Sequence, residues 1–550
     1  MKSFLLATAI GILPLAAIAA EPAIDGAKLE THVKELSSDA FEGRGPATEG
    51  EKKTVAYISA QFADAGLQPG GDLKPDGKRA WTQDVPLAKF DIDGPVAAAF
   101  TLNGTATPLV QGDDIAIRAA MTGQTQVSLK DVPIVWAGYG TVAGERRWND
   151  FEGVDVRGKM IVVLVNDPDF EIGQGDFGGR AMTYYGRWTY KYEEAARQGA
   201  AGVLIVHETA PASYGWATVK NSNTNTMFDI VREDPTKAHT PVESWITREA
   251  AVKLFTAAGL DFEAEKKKAQ KRDFRATEMK GVTFSTDFKV KGEVIVSKNV
   301  VGLLPGKTRP DEYLIFSAHW DHLGIGRPDA SGDTIYNGAV DNATGTGAVI
   351  ELGRAFAKGE RPDRSLVFMT VTAEEKGLLG SEYYAANPLY PLSKTVAVFN
   401  TDALKPMEPM RDFTVSGNVG QDLTTMLIAK GKDRGRIFVP DPNPAAGLFY
   451  RSDHFPFAKR GVPSISFGSG ADPVSGDKAK VVAWAEKYGR DMYHQPADEY
   501  SEDWTMDGIV VDLTLLRDLA LDLANSKTWP EWNAGTEFKA LRDATKADRK

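Results

Sequence analysis

The chain has 550 residues, and 64 Lys and Arg against 75 Asp and Glu give it a formal net charge of −11 at pH 7. With 42% hydrophobic and 25% charged residues, the composition excludes a wholly disordered, collagen-like or coiled-coil chain. The length suggests two or three domains, and the acidic balance argues against nucleic acid as a partner. The absence of cysteine excludes disulfides, thiolate metal ligands and thiol catalysis.

The first twenty residues have the pattern of an export signal. Lys2 precedes an apolar run from Phe4 to Ile18, and small residues up to Ala20 offer a cleavage site. The run is shorter than the ~20 residues that a spanning helix needs, and a short membrane anchor is the alternative. We predict a signal peptide over residues 1–20 and a periplasmic or secreted protein, with no stable membrane insertion after cleavage.

Helical periodicity dominates the region that follows, residues 21–110. Apolar residues recur at helical spacing over 24–36 and 54–65, and the glycine-rich segment 66–70 ends the second helix. We predict that this region is the N-terminal part of a domain that residues 286–527 complete.

Residues 111–285 have the pattern of a separate module. Strands are predicted at 132–140, 158–165 and 199–206, with a helix at 190–198 before the last of them. The order of these elements, the entry Asp155-Val-Arg-Gly-Lys159 and the step Gly199-Ala-Ala-Gly-Val203 resemble the protease-associated (PA) domain. The resemblance implies a smaller, β-rich α/β domain that is inserted into a peptidase as a non-catalytic lid or partner surface.

Five aromatic residues crowd into one short segment of this module. They are Tyr184, Tyr185, Trp188, Tyr190 and Tyr192. One interpretation is that they form the core of the module and its packing against the catalytic region. The other is that exposed members, such as Tyr185 and Trp188, form a wall of the substrate cleft.

Residues 286–527 alternate apolar strands with helices. Strands are predicted at 294–296, 299–304, 313–318, 365–372, 396–400 and 464–467, and helices at 345–357 and 377–386. This alternation predicts an α/β fold in which a mostly parallel mixed sheet is covered by helices on both faces. Ligands of such sheets bind at the carboxyl ends of the strands. Residues 528–550 are a charged C-terminal tail, in which 529–532 are expected to dock and the rest to fray.

Histidines and acids follow the predicted strands of the third region. The motifs are His319-Trp-Asp321-His322, Asp341-Asn-Ala-Thr-Gly345, Glu374-Glu375, Asn400-Thr-Asp402 and Tyr493-His494 followed by Asp498. Taken singly, they are explained as surface pairs, caps or helix N-terminal charges. Acids at successive strand ends are costly unless they share positive charge, and a metal is the simplest source of it. Imidazole plus carboxylate suits zinc, with manganese and cobalt as alternatives.

In this order the motifs resemble the co-catalytic zinc aminopeptidase family, which includes glutamate carboxypeptidase and the glutaminyl cyclases and in which a PA insert is typical. The resemblance implies a zinc exopeptidase-like fold with two Zn²⁺ per chain. It assigns His319 and Asp402 to one zinc, Glu375 and His494 to the other, Asp341 to both with a cis peptide after it, and Glu374 as general base.

The same resemblance gives three further residues supporting roles. Asp321 would hold the ring of His319, to which its i+2 spacing on an extended strand is suited, and Asp498 would orient His494 in the same way. Tyr450 would donate a hydrogen bond to the oxyanion, and a buried packing tyrosine is the alternative.

Other hydrolase classes lack their motifs in this chain. There is no His-Glu-x-x-His and no Gly-x-Ser-x-Gly, which argues against helix-borne zinc proteases and serine hydrolases. The resemblance therefore predicts an exported two-zinc exopeptidase that acts on peptides, with an aminopeptidase as the leading interpretation. A carboxypeptidase or dipeptidase with the same centre, a glutaminyl cyclase and a receptor-like binding module of the same fold are the alternatives, and the oligomeric state is open.

Overall fold

The computed structural model describes residues 23–326, 328–417 and 419–549. The predicted signal peptide, residues 1–20, lies outside the described residues, so the structure does not test it. None of the helices in the described ranges combines the length and the apolar character needed to cross a membrane.

Two helices open the described chain, as the periodicity predicts. The first, α1 (Gly26–Leu36), begins after Asp25, whose side chain accepts the N–H of Lys28. The second helix and the first strands are α2 (Glu49–Asp64), β1 (Gln68–Pro69), β2 (Thr82–Leu102) and β3 (Thr105–Pro108).

The middle region contains short strands and helices that follow the predicted order. Its strands are β4 (Ile115–Ile117), β5 (Gln126–Trp136), β6 (Val142–Ala143), β7 (Trp148–Asn149), β8 (Met160–Leu164), β9 (Gly202–His207), β10 (Met227–Ile230) and β11 (Val242–Thr247). Its helices are α3 (Trp188–Arg197), α4 (Thr209–Ala212), α5 (Trp216–Asn223), α6 (Arg248–Ala257) and α7 (Phe262–Ala269). The predicted helix at 190–198 and the three predicted strands are confirmed as α3, β5, β8 and β9.

The third region adds the strands and helices that surround the predicted metal ligands. Its strands are β12 (Thr277–Leu304), β13 (Arg309–His319), β14 (Gly324–Ile325), β15 (Ile335–Tyr336), β16 (Arg364–Val371), β17 (Thr395–Asn400), β18 (Asp412–Val415), β19 (Ile437–Phe438) and β20 (Ser464–Ser469). Its helices are α8 (Gly345–Lys358), α9 (Leu379–Ala386), α10 (Asp422–Asp433), α11 (Phe455–Ala458), α12 (Lys478–Lys487), α13 (Asp507–Asn525) and α14 (Lys539–Ala544).

One mixed sheet runs through both regions. On the catalytic side its order is β19-β18-β20-β17-β13-β16-β12, and β16, β13, β17 and β20 are parallel neighbours. On the other side the order continues from β12 through β5, β8, β9 and β11 to β4, and the four strands from β5 to β11 are parallel. The predicted α/β class with a mostly parallel mixed sheet is confirmed.

Helices cover both faces of the catalytic half of the sheet. Alternate residues of β13 point to opposite faces, so Leu314 and Phe316 join one buried cluster and Ile315 joins another. The first cluster receives side chains from α1, α8 and α13. The second receives Tyr384 from α9 and Phe457 from α11. The strands are therefore held on both sides, and their carboxyl ends have fixed positions.

The extent of β12 differs from the prediction. The strands predicted at 294–296 and 299–304 are one continuous strand, because the intervening Ser297 and Lys298 pair with β2 without a break. This strand, β12, also crosses residue 285, where a domain boundary is predicted. The structure gives no independent test of that division or of the PA assignment of residues 111–285, and both stay predictions.

The C-terminal tail is packed, so the expected fraying beyond residue 532 is wrong for the described residues. Trp532, Phe538 and Arg542 are buried. The indole N–H of Trp532 donates to the carbonyl of Gly461 at 2.9 Å, which confirms the expected docking of this segment. The guanidinium of Arg542 donates to the carbonyl of Thr395 at 3.0 Å. The charged tail is held because its buried arginine satisfies main-chain carbonyls.

Candidate metal centre

Three parallel strands deliver predicted ligands to one edge of the sheet. β13 ends at His319, while Glu374 and Asp402 follow the ends of β16 and β17 by two or three residues. Because β16, β13 and β17 are parallel neighbours, their carboxyl ends meet at the same edge. The side chains predicted from the strand order therefore converge.

The carboxylate of Asp341 lies between two imidazoles. Its Oδ1 is 3.2 Å from Nε2 of His319, and its Oδ2 is 3.2 Å from Nε2 of His494. The peptide bond from Asp341 to Asn342 is cis, as the resemblance implies. This is the position in which one carboxylate can contact two cations at once.

Candidate ligand atoms form two groups at this edge, and each group includes one residue that is not among the predicted ligands, Glu374 in the first and His322 in the second. The groups are His319, Glu374 and Asp402, and His322, Asp341 and Glu375, with the ligand atoms of each group within 4.8 Å of one another. Nε2 of His494 is 3.1 Å from Oε2 of Glu375, next to the second group. The structure thus brings all five predicted ligands together, while their function as ligands stays a prediction.

The donor set fits zinc. All the candidate atoms are imidazole nitrogens or carboxylate oxygens, which zinc accepts in proteins. Nε2 of His322 is buried and has no hydrogen bond to any described residue. Buried polar atoms without partners are rare in folded proteins, so a cation at this place would satisfy a nitrogen that the chain leaves unpaired.

Buried charges perturb one another strongly in this cluster. Burial acts to lower the pKa of His494, and the carboxylates of Glu375 and Asp341 outweigh it and raise that pKa to about 10. Burial, with the neighbouring Glu375 and Asp402 carboxylates, raises the pKa of Glu374 well above its usual range. A cation held by these residues would balance the acids, because metal binding requires neutral imidazoles and ionised carboxylates.

Asp498 holds the main chain of the Asp341 loop. Its Oδ1 accepts the N–H of Val340 at 3.0 Å, and its Oδ2 accepts the N–H of Asp341 at 3.0 Å. Both carboxylate oxygens are engaged by the loop before α8, and among the described residues no hydrogen bond joins Asp498 to His494, so the expectation that Asp498 orients the ring of His494 stays a prediction.

Asp321 supports the centre in a different way from the one predicted. Nδ1 of the His319 ring is 3.0 Å from the main-chain carbonyl oxygen of Asp321 and 3.7 Å from the nearer carboxylate oxygen. That same oxygen, Oδ1, accepts the N–H of Glu374 at 3.1 Å. Asp321 thus contacts the ring through its main chain and fixes the segment of Glu374 through its side chain.

Two residues near the centre carry functions that the sequence did not reveal. His322 is fully buried, and its Nδ1 is 2.7 Å from Oε1 of Glu375. Ser452 donates its hydroxyl to Oδ2 of Asp402 at 2.6 Å and accepts the side-chain amide of Asn400 at 2.7 Å. The signal for His322 was its place beside His319 in the first motif. The signal for Ser452 was the run Ser452-Asp453-His454, which indicates a supporting or structural residue but does not identify its partner fifty residues away.

The main chain is unusual at three positions next to the ligands. Ala373, Ala403 and His494 have φ of 53°, 49° and 57°. Residues other than glycine rarely adopt a positive φ. Those that do cluster at functional sites, where the surrounding structure holds the strained main chain. Ala373 precedes Glu374 and Ala403 follows Asp402, so the turn at each strand end sets the direction of an acid.

Tyr450 is buried, and its hydroxyl is engaged outside the ligand groups. It donates to Oε1 of Glu537 in the tail at 3.0 Å. Its ring also lies 6.3 Å from that of Tyr184 and 5.2 Å from that of Phe455. These contacts support the alternative of a packing tyrosine. The oxyanion function stays a prediction that nothing in this geometry supports.

The aromatic segment of the middle region is largely packed. Tyr185 is 6% exposed and donates its hydroxyl to Glu145 at 2.9 Å, so the expectation that it is exposed is wrong. Tyr190 and Tyr192 are buried as well. The ring of Tyr184 contacts Phe455 of the catalytic region at 5.2 Å. The segment is part of the module core and of its contact with the catalytic region.

Comparisons with known proteins bear on the third region. Residues 299–516 match the family described as peptidase family M28. The probable glutamate carboxypeptidase LAMP1 of Arabidopsis thaliana is 26% identical over 298 residues, which are 46% of this chain and 40% of the relative. Aminopeptidase NAALADL1 of Mus musculus is 35% identical over 116 residues, 20% of this chain and 14% of the relative. The chain spans less than half the length of these two curated relatives.

A solved structure is similar over most of its length. The aminopeptidase from Aneurinibacillus sp. strain AM-1 is 18% identical, with a TM-score of 0.49 over 92% of this chain and 95% of that one.

Proposed function

We propose that the protein is an exported two-zinc exopeptidase that removes N-terminal residues from peptides, and the match of residues 299–516 to peptidase family M28 supports this proposal. The observation that carries the proposal is the Asp341 carboxylate, whose oxygens lie 3.2 Å from Nε2 of His319 and 3.2 Å from Nε2 of His494. A carboxylate between two imidazoles supports a pair of cations. Export to the periplasm or outside the cell is proposed from the pattern of residues 1–20 alone.

Five side chains would hold the metal. In this proposal His319 and Asp402 bind one zinc, Glu375 and His494 bind the other, and Asp341 binds both. When bound, the two ions supply positive charge that makes a water more acidic and polarises the scissile carbonyl. Ser452 keeps the carboxylate of Asp402 in place, and Asp498 holds the main chain of Asp341, as the hydrogen-bond partners of metal ligands generally do.

Glu374 is proposed as the base that moves the proton. It would accept a proton from the attacking water and give it to the leaving amine, so that the amine departs neutral. Its main-chain N–H is fixed by Oδ1 of Asp321 at 3.1 Å. The side chain of Glu374 therefore extends from a main-chain segment whose position is fixed by this hydrogen bond.

An aminopeptidase is favoured over the alternatives because the relative that is 35% identical over 116 residues is named an aminopeptidase. The four carboxylates of Asp341, Glu374, Glu375 and Asp402 balance the charge of two zinc ions. A carboxypeptidase or dipeptidase with the same centre is the second candidate, because one relative is named a probable glutamate carboxypeptidase. No feature of the described residues supports a glutaminyl cyclase or a receptor-like module.

The experiment is a panel of peptides with a free amine, a blocked amine or a blocked C-terminus, assayed with and without zinc. We expect free-amine peptides to be hydrolysed, activity to disappear with a chelator and to return with zinc or cobalt, and elemental analysis to give about two zinc per chain. Cleavage confined to peptides with a free C-terminus would establish the carboxypeptidase instead. Active protein with only trace metal would refute the two-zinc proposal.

A further inference from the structure

Arg44 is a buried arginine that joins residues 21–110 to the loops of the candidate metal centre. It is 1% exposed. Its guanidinium donates to four main-chain carbonyls, those of Leu36 at 2.7 Å, Trp320 at 2.9 Å, Asn337 at 2.6 Å and Gly338 at 2.7 Å. A guanidinium has five N–H donors in a fixed plane, so these bonds use most of them. Three segments that are distant in sequence therefore meet at one side chain.

Two of the carbonyls lie next to proposed metal ligands. Trp320 directly follows His319, and Gly338 comes three residues before Asp341. Holding these carbonyls fixes the main chain from which the two ligand side chains extend. One guanidinium thus sets the relative position of a ligand at the end of β13 and of the carboxylate that is proposed to bind both ions.

The main chain around Arg44 has an uncommon conformation. Glu42, Gly43 and Arg44 have φ of 52°, 64° and 53°, although left-handed residues usually occur singly. A Cβ on Gly43 would lie 2.5 Å from the carbonyl oxygen of Tyr336, so a larger residue does not fit there. The carbonyl of Arg44 accepts the N–H of His322 at 3.3 Å. Strain of this kind persists where surrounding contacts fix it, and it clusters at functional sites.

The charge of Arg44 faces the acids of the centre. Burial lowers the pKa of Arg44 to about 10, and the carboxylates of Asp498 and Asp341 act in the opposite direction. Arg44 therefore stays protonated at neutral pH. Because like charges repel, this charge on its own disfavours a metal ion at the centre. What favours one is the geometry that the four hydrogen bonds impose, which the planar fork of arginine can make and a lysine cannot.

We propose that Arg44 is a positioning residue of the metal centre, which holds the loops of His319 and Asp341 in the relative position that a pair of zinc ions needs. The inference rests on the proposed two-zinc function and deepens it, because it makes metal binding depend on residues 21–110. Since such coupling is reciprocal, metal at the centre should also stabilise the turn at residues 42–44. Metal uptake by the catalytic sheet is then coupled to the docking of this N-terminal segment.

The test compares Arg44→Lys, which keeps the charge, with Arg44→Met, which removes it, because neither side chain can bond four carbonyls. We expect both variants to bind zinc about 10- to 100-fold more weakly than the wild type in titrations against a competing chelator. The visible absorption spectrum of the cobalt-substituted protein, which reports the arrangement of the ligands, should change in both. Wild-type zinc affinity in Arg44→Lys, together with tighter binding in Arg44→Met, would show that only the charge acts and would overturn the inference.

Arg542→Lys is the matched control. Arg542 is also 1% exposed and donates to main-chain carbonyls, including that of Thr395 at 3.0 Å. Thr395 begins β17, whereas Asp402 lies beyond the other end of that strand, so this contact is remote from the centre. The variant should lower the thermal midpoint and keep the zinc affinity and the cobalt spectrum. An equal loss of zinc affinity in Arg542→Lys would point to general destabilisation and would also overturn the inference.

The wild-type protein decides the question if the Arg44 variants do not fold. In hydrogen–deuterium exchange, zinc should increase the protection of residues 39–48 and leave that of residues 539–549 unchanged. Equal protection of residues 39–48 with and without zinc, or unchanged zinc affinity in both Arg44 variants, overturns the inference and leaves the two-zinc centre standing. A wild-type protein that binds no zinc refutes the proposed function itself.

Discussion

The carboxylate of Asp498 is bonded to the main chain of Asp341, with 3.0 Å between Oδ2 and the amide nitrogen. Its other oxygen takes the N–H of Val340 at the same distance. Asp498 lies four residues after His494, so one short segment supplies both a proposed ligand and the support of the Asp341 main chain. We therefore expect the proposed metal site to depend on a residue that accepts from the main chain of a ligand.

Asp498→Asn is expected to weaken zinc binding by about 10- to 100-fold, as the loss of a residue that orients a ligand typically does. The amide retains one acceptor and turns a donor towards an N–H. Titration with zinc against a competing chelator measures the change. Asp491→Asn, an exposed aspartate paired with Arg490, is the matched control, and equal zinc affinity for the two variants would contradict the assignment.

Adjacent glutamates should respond differently to substitution. Glu374→Gln is expected to keep both metals and to lose about 10²- to 10⁴-fold in turnover, because it removes the proposed base and not a ligand. Glu375→Ala should lower the metal content, since Glu375 faces His494 and His322. Metal analysis and initial rates on the same preparations decide this. Near-normal turnover by Glu374→Gln would contradict the assignment of Glu374 as the base and of Glu375 as the metal ligand.

The stability of the middle region should depend on pH through His239. This ring lies 3.0 Å from Asp229 and 2.8 Å from Glu243, and these carboxylates outweigh burial and raise its pKa to about 9. Because this is above the ordinary 6.5, the stabilisation is fully present below pH 6.5 and is lost as the pH rises through 9. Its size is at most about 3 kcal/mol.

His239→Gln should accordingly remove the decline in stability between pH 6.5 and 9. Urea unfolding at pH 6 and at pH 9 measures it for both proteins. The variant is expected to be less stable than the wild type at pH 6, with a difference that shrinks at pH 9. A constant difference across this range would show that the charge of His239 does not contribute.

The tail should contribute to the stability of the catalytic region. Trp532 is 2% exposed and packs against Phe449 and Phe538, so Trp532→Ala is expected to cost about 3–5 kcal/mol in the free energy of unfolding. Trp529→Ala, at a half-buried tryptophan stacked on Arg364, is the control and should cost less. Equal costs in denaturant titrations would show that burial of Trp532 is not what anchors the tail.

Strand ends could be predicted from the sequence, and so could the residues that follow them. His319, Glu374 and Asp402 each follow an apolar run, and parallel pairing alone brings such positions to one edge. The contact of Ser452 with Asp402 could not be predicted, because it depends on how the loop after residue 447 packs against β17. The same holds for Asp321, whose spacing from His319 is right for a contact but does not decide between its carbonyl and its carboxylate.

The extent of β12 was also beyond the sequence pattern. The polar residues Ser297 and Lys298 separate the apolar runs at 294–296 and 299–304, so the sequence pattern divides it. Pairing with β2 over the same stretch keeps it continuous. Tertiary pairing thus overrides a local pattern.

Because β2 and β12 pair antiparallel, the middle region that separates them in sequence can be removed as one piece. Leu102 and Val282 are paired across the two antiparallel strands, and residues paired in this way have Cα atoms about 5 Å apart. A two-residue turn is therefore enough to join them into a hairpin. Excising residues 103–281 would leave every catalytic strand connected as before and would uncover the edge of β12 that β5 now occupies. The middle region is thus an insertion at the end of the hairpin formed by β2 and β12. It can be added or removed without a change in the order and connections of the catalytic strands.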